Sequence, residues 1–226
     1  ADRGVVWLVS LREKLLSLIP KFPNYQKIDT DLSYLFKEWF NKGFLVLKPI
    51  NWTTPANILE KIIKYEAVHE IKSWKELRER LDPGDRRCFA FFHPLMEDEP
   101  LIFVEVALMK ETPSRICDVI GVDRDEIDPG IATTAVFYSI SNCQKGLQGI
   151  SFGNFLIKTV VQNIQNELPS VSNFVTLSPV PNLRKWISNL NKNNSKIPQI
   201  EHDSITETYL QPLLRDYFLE SKRADK

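Results

Sequence analysis

The sequence carries no net charge: 29 Lys and Arg offset 29 Asp and Glu across 226 residues. A balanced surface lacks the basic field that gathers nucleic acid, so no nucleic-acid partner is expected. No apolar run reaches the roughly 18–20 residues that a membrane span requires. The Val5 to Val9 run is too short and has no signal-peptide cleavage pattern, so no membrane partner is expected either. Cysteine is scarce. Cys88, Cys117 and Cys143 form neither a CxxC pattern nor an even-numbered disulfide framework. Three reduced thiols fit an intracellular, cytoplasmic protein. His69, His93 and His202 lie far apart, with no HExxH spacing, so no metal site is expected.

Apolar residues are plentiful, at 43% of the chain with thirteen Phe and five Trp, enough for a packed core. Val5 to Ile19 reads as a helix with Leu8, Leu11, Leu15 and Leu18 on one face. A second helix is expected from an N-cap at Thr30, with Leu32, Leu35, Phe36 and Trp39 as its stripe and Gly43 as its C-terminal cap. These two helices suit a small helical subdomain. Beyond Gly43 the pattern mixes types. Phe44 to Leu47 reads as a strand, and Thr54-Pro55 opens a helix carrying Ile58, Leu59 and Ile62. Trp74 to Leu81 is a helix ended by Asp82-Pro83-Gly84. Arg87 to Phe92 and Leu101 to Leu108 read as a hairpin around an acidic loop, and Ala132 to Ile140 as a third strand. The most regular helix spans Phe152 to Glu167, with Phe152, Leu156, Val160, Ile164 and Leu168 every fourth residue. Val171 to Leu177 is a further strand. Helices are expected around Leu183 to Leu190 and from Pro212 to Leu219. The order predicts an α+β or α/β architecture.

Of only eight glycines, Gly146, Gly149 and Gly153 fall together between a strong strand and the start of the most regular helix. Glycine permits positive φ and close backbone approach. A helix N-terminus offers free N–H groups to an anion, and Lys145 and Lys158 add charge. The spacing matches neither the P-loop nor GxGxxG. Two readings stand from spacing alone: a phosphate or pyrophosphate cradle, or a tight strand-to-helix turn with a glycine for close packing.

Longer strings carry a resemblance. Phe137-Tyr138-Ser139-Ile140-Ser141, the stretch from Gln144 to Lys158, and Leu177-Ser178-Pro179-Val180-Pro181 resemble the malonyl-CoA decarboxylase family, in its bacterial type. Glu38-Trp39-Phe40, Glu66-Ala67-Val68-His69, Asp85-Arg86-Arg87-Cys88 and Asp98-Glu99-Pro100-Leu101 agree in the same order. The resemblance implies the end of an N-terminal helical domain over residues 1–42. It then implies a GNAT acetyltransferase-like mixed sheet with flanking helices over residues 43–226. It favours coenzyme A pyrophosphate on the glycine loop, and the conversion of malonyl-CoA to acetyl-CoA and CO₂. It implies Ser178 as the active-site serine. Ser139 and the loop Gln148, Gly149, Ile150, Ser151, Phe152, Gly153 and Asn154 match substrate-binding positions. Ser151 stands where animal members carry a glutamate. A homo-oligomer, dimer or tetramer, is also implied.

That chemistry needs no cofactor. A β-carboxylated thioester holds its own electron sink, and the site must stabilise an enolate and protonate carbon. The family's proton-donating histidine belongs to a Phe-His-Leu-x-Asn-Gly-Ala segment that is not among these 226 residues. The chain is therefore expected to stop short of it, with residues missing at both ends, and to be inactive alone. None of His69, His93 and His202 matches it; each is expected to cap, pack or be solvated. A non-catalytic acyl-CoA-binding module and an acetyltransferase on the same fold remain as alternatives.

Overall fold

The computed structural model describes residues 3–121 and 124–180. Residues up to Ser178 pack as one unit, and a second begins at Pro179. Two helices open the chain, α1 (Gly4–Leu18) and α2 (Gln26–Trp39), followed by strand β1 (Val46–Ile50). Helices α3 (Ala56–Tyr65) and α4 (Trp74–Leu81) lead into β2 (Arg86–Phe92) and β3 (Ile102–Met109). A short helix α5 (Cys117–Ile120), strand β4 (Thr134–Asn142), helix α6 (Gly153–Glu167) and strand β5 (Asn173–Thr176) complete the unit. The five strands form one mixed sheet in chain order. Pairings are antiparallel up to β4, and β4 and β5 run parallel, joined by α6 as a crossover. The α+β class and the mixed sheet agree with the sequence.

The central strands are apolar without alternation because both sheet faces are covered. On one face Phe91, Val104, Val106 and Phe137 meet Phe36, Phe40 and the α6 stripe Leu156, Val160 and Ile164. On the other, Ala90, Phe92 and Phe103 meet Ile58, Leu59 and Ile62 of α3 and Leu77 and Leu81 of α4. Each fully buried aliphatic side chain contributes roughly 1.5–3 kcal/mol, so the α6 stripe is a principal anchor of the crossover. Pro49 is tolerated because β1 is an edge strand. Among the described residues no helix is long and apolar enough to cross a membrane.

Two features shape the functional end of the sheet. Glu105 pairs with Ser139 but Val106 pairs with Phe137, so Tyr138 is the extra residue of a β-bulge. The β4–β5 pairing also stops early. Its last bond runs from Leu177 N to Phe137 O at 2.9 Å, and β4 continues to Asn142 without β5 beside it.

The first two helices differ from expectation. In α1 the buried residues are Val9 and Arg12, while Leu11 and Leu18 are exposed. Hydrophobicity selected the leucine stripe, but polar bonds from Arg12 fix the inward face. Thr30 is not a cap; α2 starts at Gln26 and the Thr30 hydroxyl donates to Gln26 O within it. Gly43 does not cap α2 either, since the helix ends at Trp39 and Gly43 donates its N–H to Asn41 Oδ1 in the next turn. Strand β1 begins at Val46 rather than Phe44. The helices expected at Leu183 to Leu190 and Pro212 to Leu219 lie outside the described residues.

The helical pair also reaches the sheet. A Cβ on Gly146 would sit 1.9 Å from the Val9 carbonyl oxygen of α1. No rotamer relieves a clash with backbone, so Gly146→Ala is expected to cost about 1–3 kcal/mol or more in urea-induced unfolding. An unchanged midpoint would show that α1 can back away freely.

Candidate functional site

Ligand sites in open sheets gather beyond the carboxyl ends of parallel strands. In this fold that end holds the β4–α6 loop, Ser139 and the exit of β5. The three loop glycines have three different reasons. Gly146 admits the α1 backbone, as above. Gly149 has φ +85°, the left-handed region, with nothing among the described residues within 4 Å of an added Cβ. Gly153 opens α6 with only Ile102 Cδ1 at 4.0 Å, so neighbouring protein atoms do not require a glycine there. The close-packing reading thus applies to Gly146, while Gly149 forms an exposed left-handed turn.

Arg12 underlies this loop. Its guanidinium is buried and donates from Nε to Asp29 Oδ1 at 2.8 Å. Its Nη1 donates to Gly146 O at 2.7 Å and to Gln148 O at 3.0 Å. These two loop carbonyls therefore face the protein. The N–H groups of Gly149, Ser151, Phe152, Gly153 and Asn154 find no acceptor among the described residues. Gln148, Gly149, Ser151 and Asn154 are exposed, and Ile150 is half-buried. Phe152 differs: its ring belongs to the core, so only its backbone faces the loop. A cavity of about 260 Å³ on one side of the loop is lined by Asn142, Lys145, Gln148 and Gly149. Another of about 230 Å³ on the other side is lined by Lys37, Lys42, Ile150 and Ser151.

Ser139 sits apart from the loop backbone, buried just past the bulge. Its hydroxyl lies 2.8 and 2.7 Å from the two carboxylate oxygens of Glu66, which follows α3. The same carboxylate accepts from Val68 N and His69 N at 2.8 Å each, and from Ser141 Oγ at 3.3 Å. The single proton of Ser139 is thus committed to Glu66. Toward a ligand Ser139 offers lone pairs, not a free oxyanion donor. Ser178 is exposed, two residues past β5.

Beneath Ser139 is a buried ionic group. Glu105 Oε2 accepts from Arg80 Nη1 at 3.0 Å. Burial pushes the Glu105 carboxyl up to about 7, against the pull of Arg80 and the Tyr138 hydroxyl. Burial likewise raises the Tyr138 phenol well above its ordinary value. His69 is lowered by burial despite Glu66, and its Nε2 has no hydrogen-bond partner among the described residues. His69 therefore belongs to this polar cluster, with its ring 6.4 Å from that of Tyr138. His93 packs as expected, its Nδ1 accepting from Leu95 N and its ring 5.0 Å from Phe40.

The malonyl-CoA decarboxylase C-terminal domain model matches residues 43–225, and the N-terminal domain model matches residues 1–40. The chain belongs to the malonyl-CoA decarboxylase family. It is similar to the crystal structure of malonyl-CoA decarboxylase from Agrobacterium vitis, with TM-score 0.84 and 56% identity over 91% of this chain and 50% of that one. The Rhodopseudomonas palustris enzyme gives TM-score 0.82 and 53% identity over 90% of this chain and 50% of that one. The mitochondrial malonyl-CoA decarboxylase of Anser anser anser is 36% identical over 100% of this chain and 49% of its own length. The chain spans about half the length of the curated relatives it matches.

Periodicity did not reveal Arg12, Glu66, Arg80 and Glu105, whose hydrogen bonds hold the loop, Ser139 and the buried ionic group. Glu66 was visible only as part of a matching string. Glu105 was visible as a lone charge inside an apolar strand, a signal that it needs a buried partner. The groups facing it are Arg80 from α4, Tyr138 from β4, Glu66 after α3, and Arg86 and Cys88 from β2. Its folded pKa is raised, so its contribution is full below the ordinary carboxyl range and falls as pH rises through about 7. Urea denaturation between pH 5 and 8 should show a stability loss on the order of 1–3 kcal/mol from this group. Glu105→Gln should flatten that slope; an unchanged slope would assign it to another group.

Proposed function

We propose that this chain supplies the substrate-binding half of a malonyl-CoA decarboxylase. The observation that carries the reading is the row of N–H groups at the loop and the α6 N-terminus with no acceptor among the described residues, in a chain of this family. A pyrophosphate suits those donors and the helix end. The pantetheine arm, an extended chain bearing amides, suits the β4 edge that β5 leaves open from Ser139 to Asn142. It would bring the thioester toward Ser139 and Ser178.

The reaction then follows from the substrate. The bond between C2 and the carboxylate carbon breaks, CO₂ leaves, and the electron pair passes into a thioester enolate. A proton added to C2 gives acetyl-CoA. The carbonyl accepts the charge, so neither metal nor organic cofactor is needed. Ser178, exposed at the open end, is assigned as the catalytic hydroxyl that meets the developing oxyanion. Ser139 and the loop from Gln148 to Asn154 are assigned to substrate. Three free thiols, two of them buried, support a reducing, cytoplasmic setting. Exposed Trp7, Leu11, Tyr34 and Trp39 on α1 and α2 support a homo-oligomer.

Calorimetry should show CoA binding by the 226 residues, and a carbon dioxide assay with malonyl-CoA should show no turnover. Robust release would assign the proton to a histidine within them, with His69 the one in the polar cluster. In the full-length protein Ser178→Ala should lower kcat at least about a hundredfold with little change in KM, as for removal of a single oxyanion donor. Unchanged kcat would remove Ser178 from the reaction. Gly149→Val should weaken CoA binding, because a β-branched residue resists φ +85°; an unaltered Kd would leave the loop as a turn only.

A further inference from the structure

We infer that Arg12, on the first helix, is a positioning residue for the anion-binding loop; the inference rests on the coenzyme A reading above. In a trans peptide the C=O and the following N–H point in opposite directions. Arg12 Nη1 holds the Gln148 carbonyl inward at 3.0 Å, so the N–H of Gly149 in the same peptide unit points outward. That N–H has no acceptor among the described residues, and Gly149 is the loop's positive-φ residue. The second bond, to Gly146 O at 2.7 Å, fixes the start of the loop.

Arg12 is itself held. Asp29 of α2 takes its Nε, and its guanidinium carbon lies 5.9 Å from the centroid of the Phe36 ring. The planar fork therefore joins α2 through Nε and two loop carbonyls through Nη1. A lysine ammonium has no such fork and cannot reproduce the pattern. Without the guanidinium, the peptide between Gln148 and Gly149 loses the bond that sets its orientation. The bound phosphate must then order it. Preorganisation is lost from affinity, while the fold's other contacts remain.

This role separates from simple structural support by comparing variants at a temperature where circular dichroism shows each one folded. Wild-type protein, Arg12→Ala, Arg12→Lys and Ile62→Ala are titrated with CoA. Ile62→Ala opens a cavity in the core on the opposite face of the sheet and serves as the destabilised control. Arg12→Ala is expected to raise the CoA Kd about tenfold, the equivalent of one oriented hydrogen bond. Arg12→Lys should raise it at least about threefold even if the alanine variant does not fold, and Ile62→Ala should lower Tm with Kd within about twofold of wild type. Folded Arg12 variants that bind CoA as wild type would overturn the inference. So would Ile62→Ala weakening CoA as much as they do. A wild-type chain that fails to bind CoA would instead overturn the functional reading on which it rests.

Discussion

The site depends on β4 outrunning β5. Parallel pairing holds from Thr134 to Phe137 and ends with the bond from Leu177 N to Phe137 O. One residue later the bulge at Tyr138 redirects β4. Had the strands stayed paired to Asn142, the open edge would be filled and Ser178 would lie in a ladder. The bulge also brings Tyr138 and Ser139 together on the face that holds Glu66 and Glu105. One local irregularity thus sends two successive side chains of β4 into a polar interior.

That interior is costly. Glu105, Arg80, Asp85 and Arg86 are all buried on or beside the sheet. Desolvating such charges offsets much of their mutual attraction, so their presence is weak evidence for stability. Their geometry is better read as support. Glu66 is bound by two backbone N–H groups and two hydroxyls, and this fixes the direction of the Ser139 proton. A serine read from sequence as a plain ligand contact becomes, in the fold, the outer member of a hydrogen-bonded pair.

Much of the architecture was legible in the sequence, for identifiable reasons. The α6 stripe repeats every fourth residue and is buried as read, and the hairpin strands are apolar runs flanked by turn residues. The glycine loop was legible as a feature, though not the division of labour among its glycines, which depends on what approaches each from elsewhere in the chain. The face of α1 was misread because Leu11 and Leu18 outrank an arginine on any hydrophobic scale. What decided the matter was three polar acceptors, one on α2 and two more than a hundred residues away. The Glu66–Ser139 pair escaped for the same reason, since its members are joined only through the tertiary fold.

The contact between Val9 and Gly146 bears on where one part of the protein ends and the next begins. The two family models divide the sequence between residues 40 and 43. Packing crosses that line: a helix from the first part lies so close to a loop of the second that no side chain fits between them. The division between the two models is therefore not a boundary in the packing. By thermodynamic reciprocity, a load that tilts α1 must be felt at the loop to the same degree that any load on the loop is felt at α1.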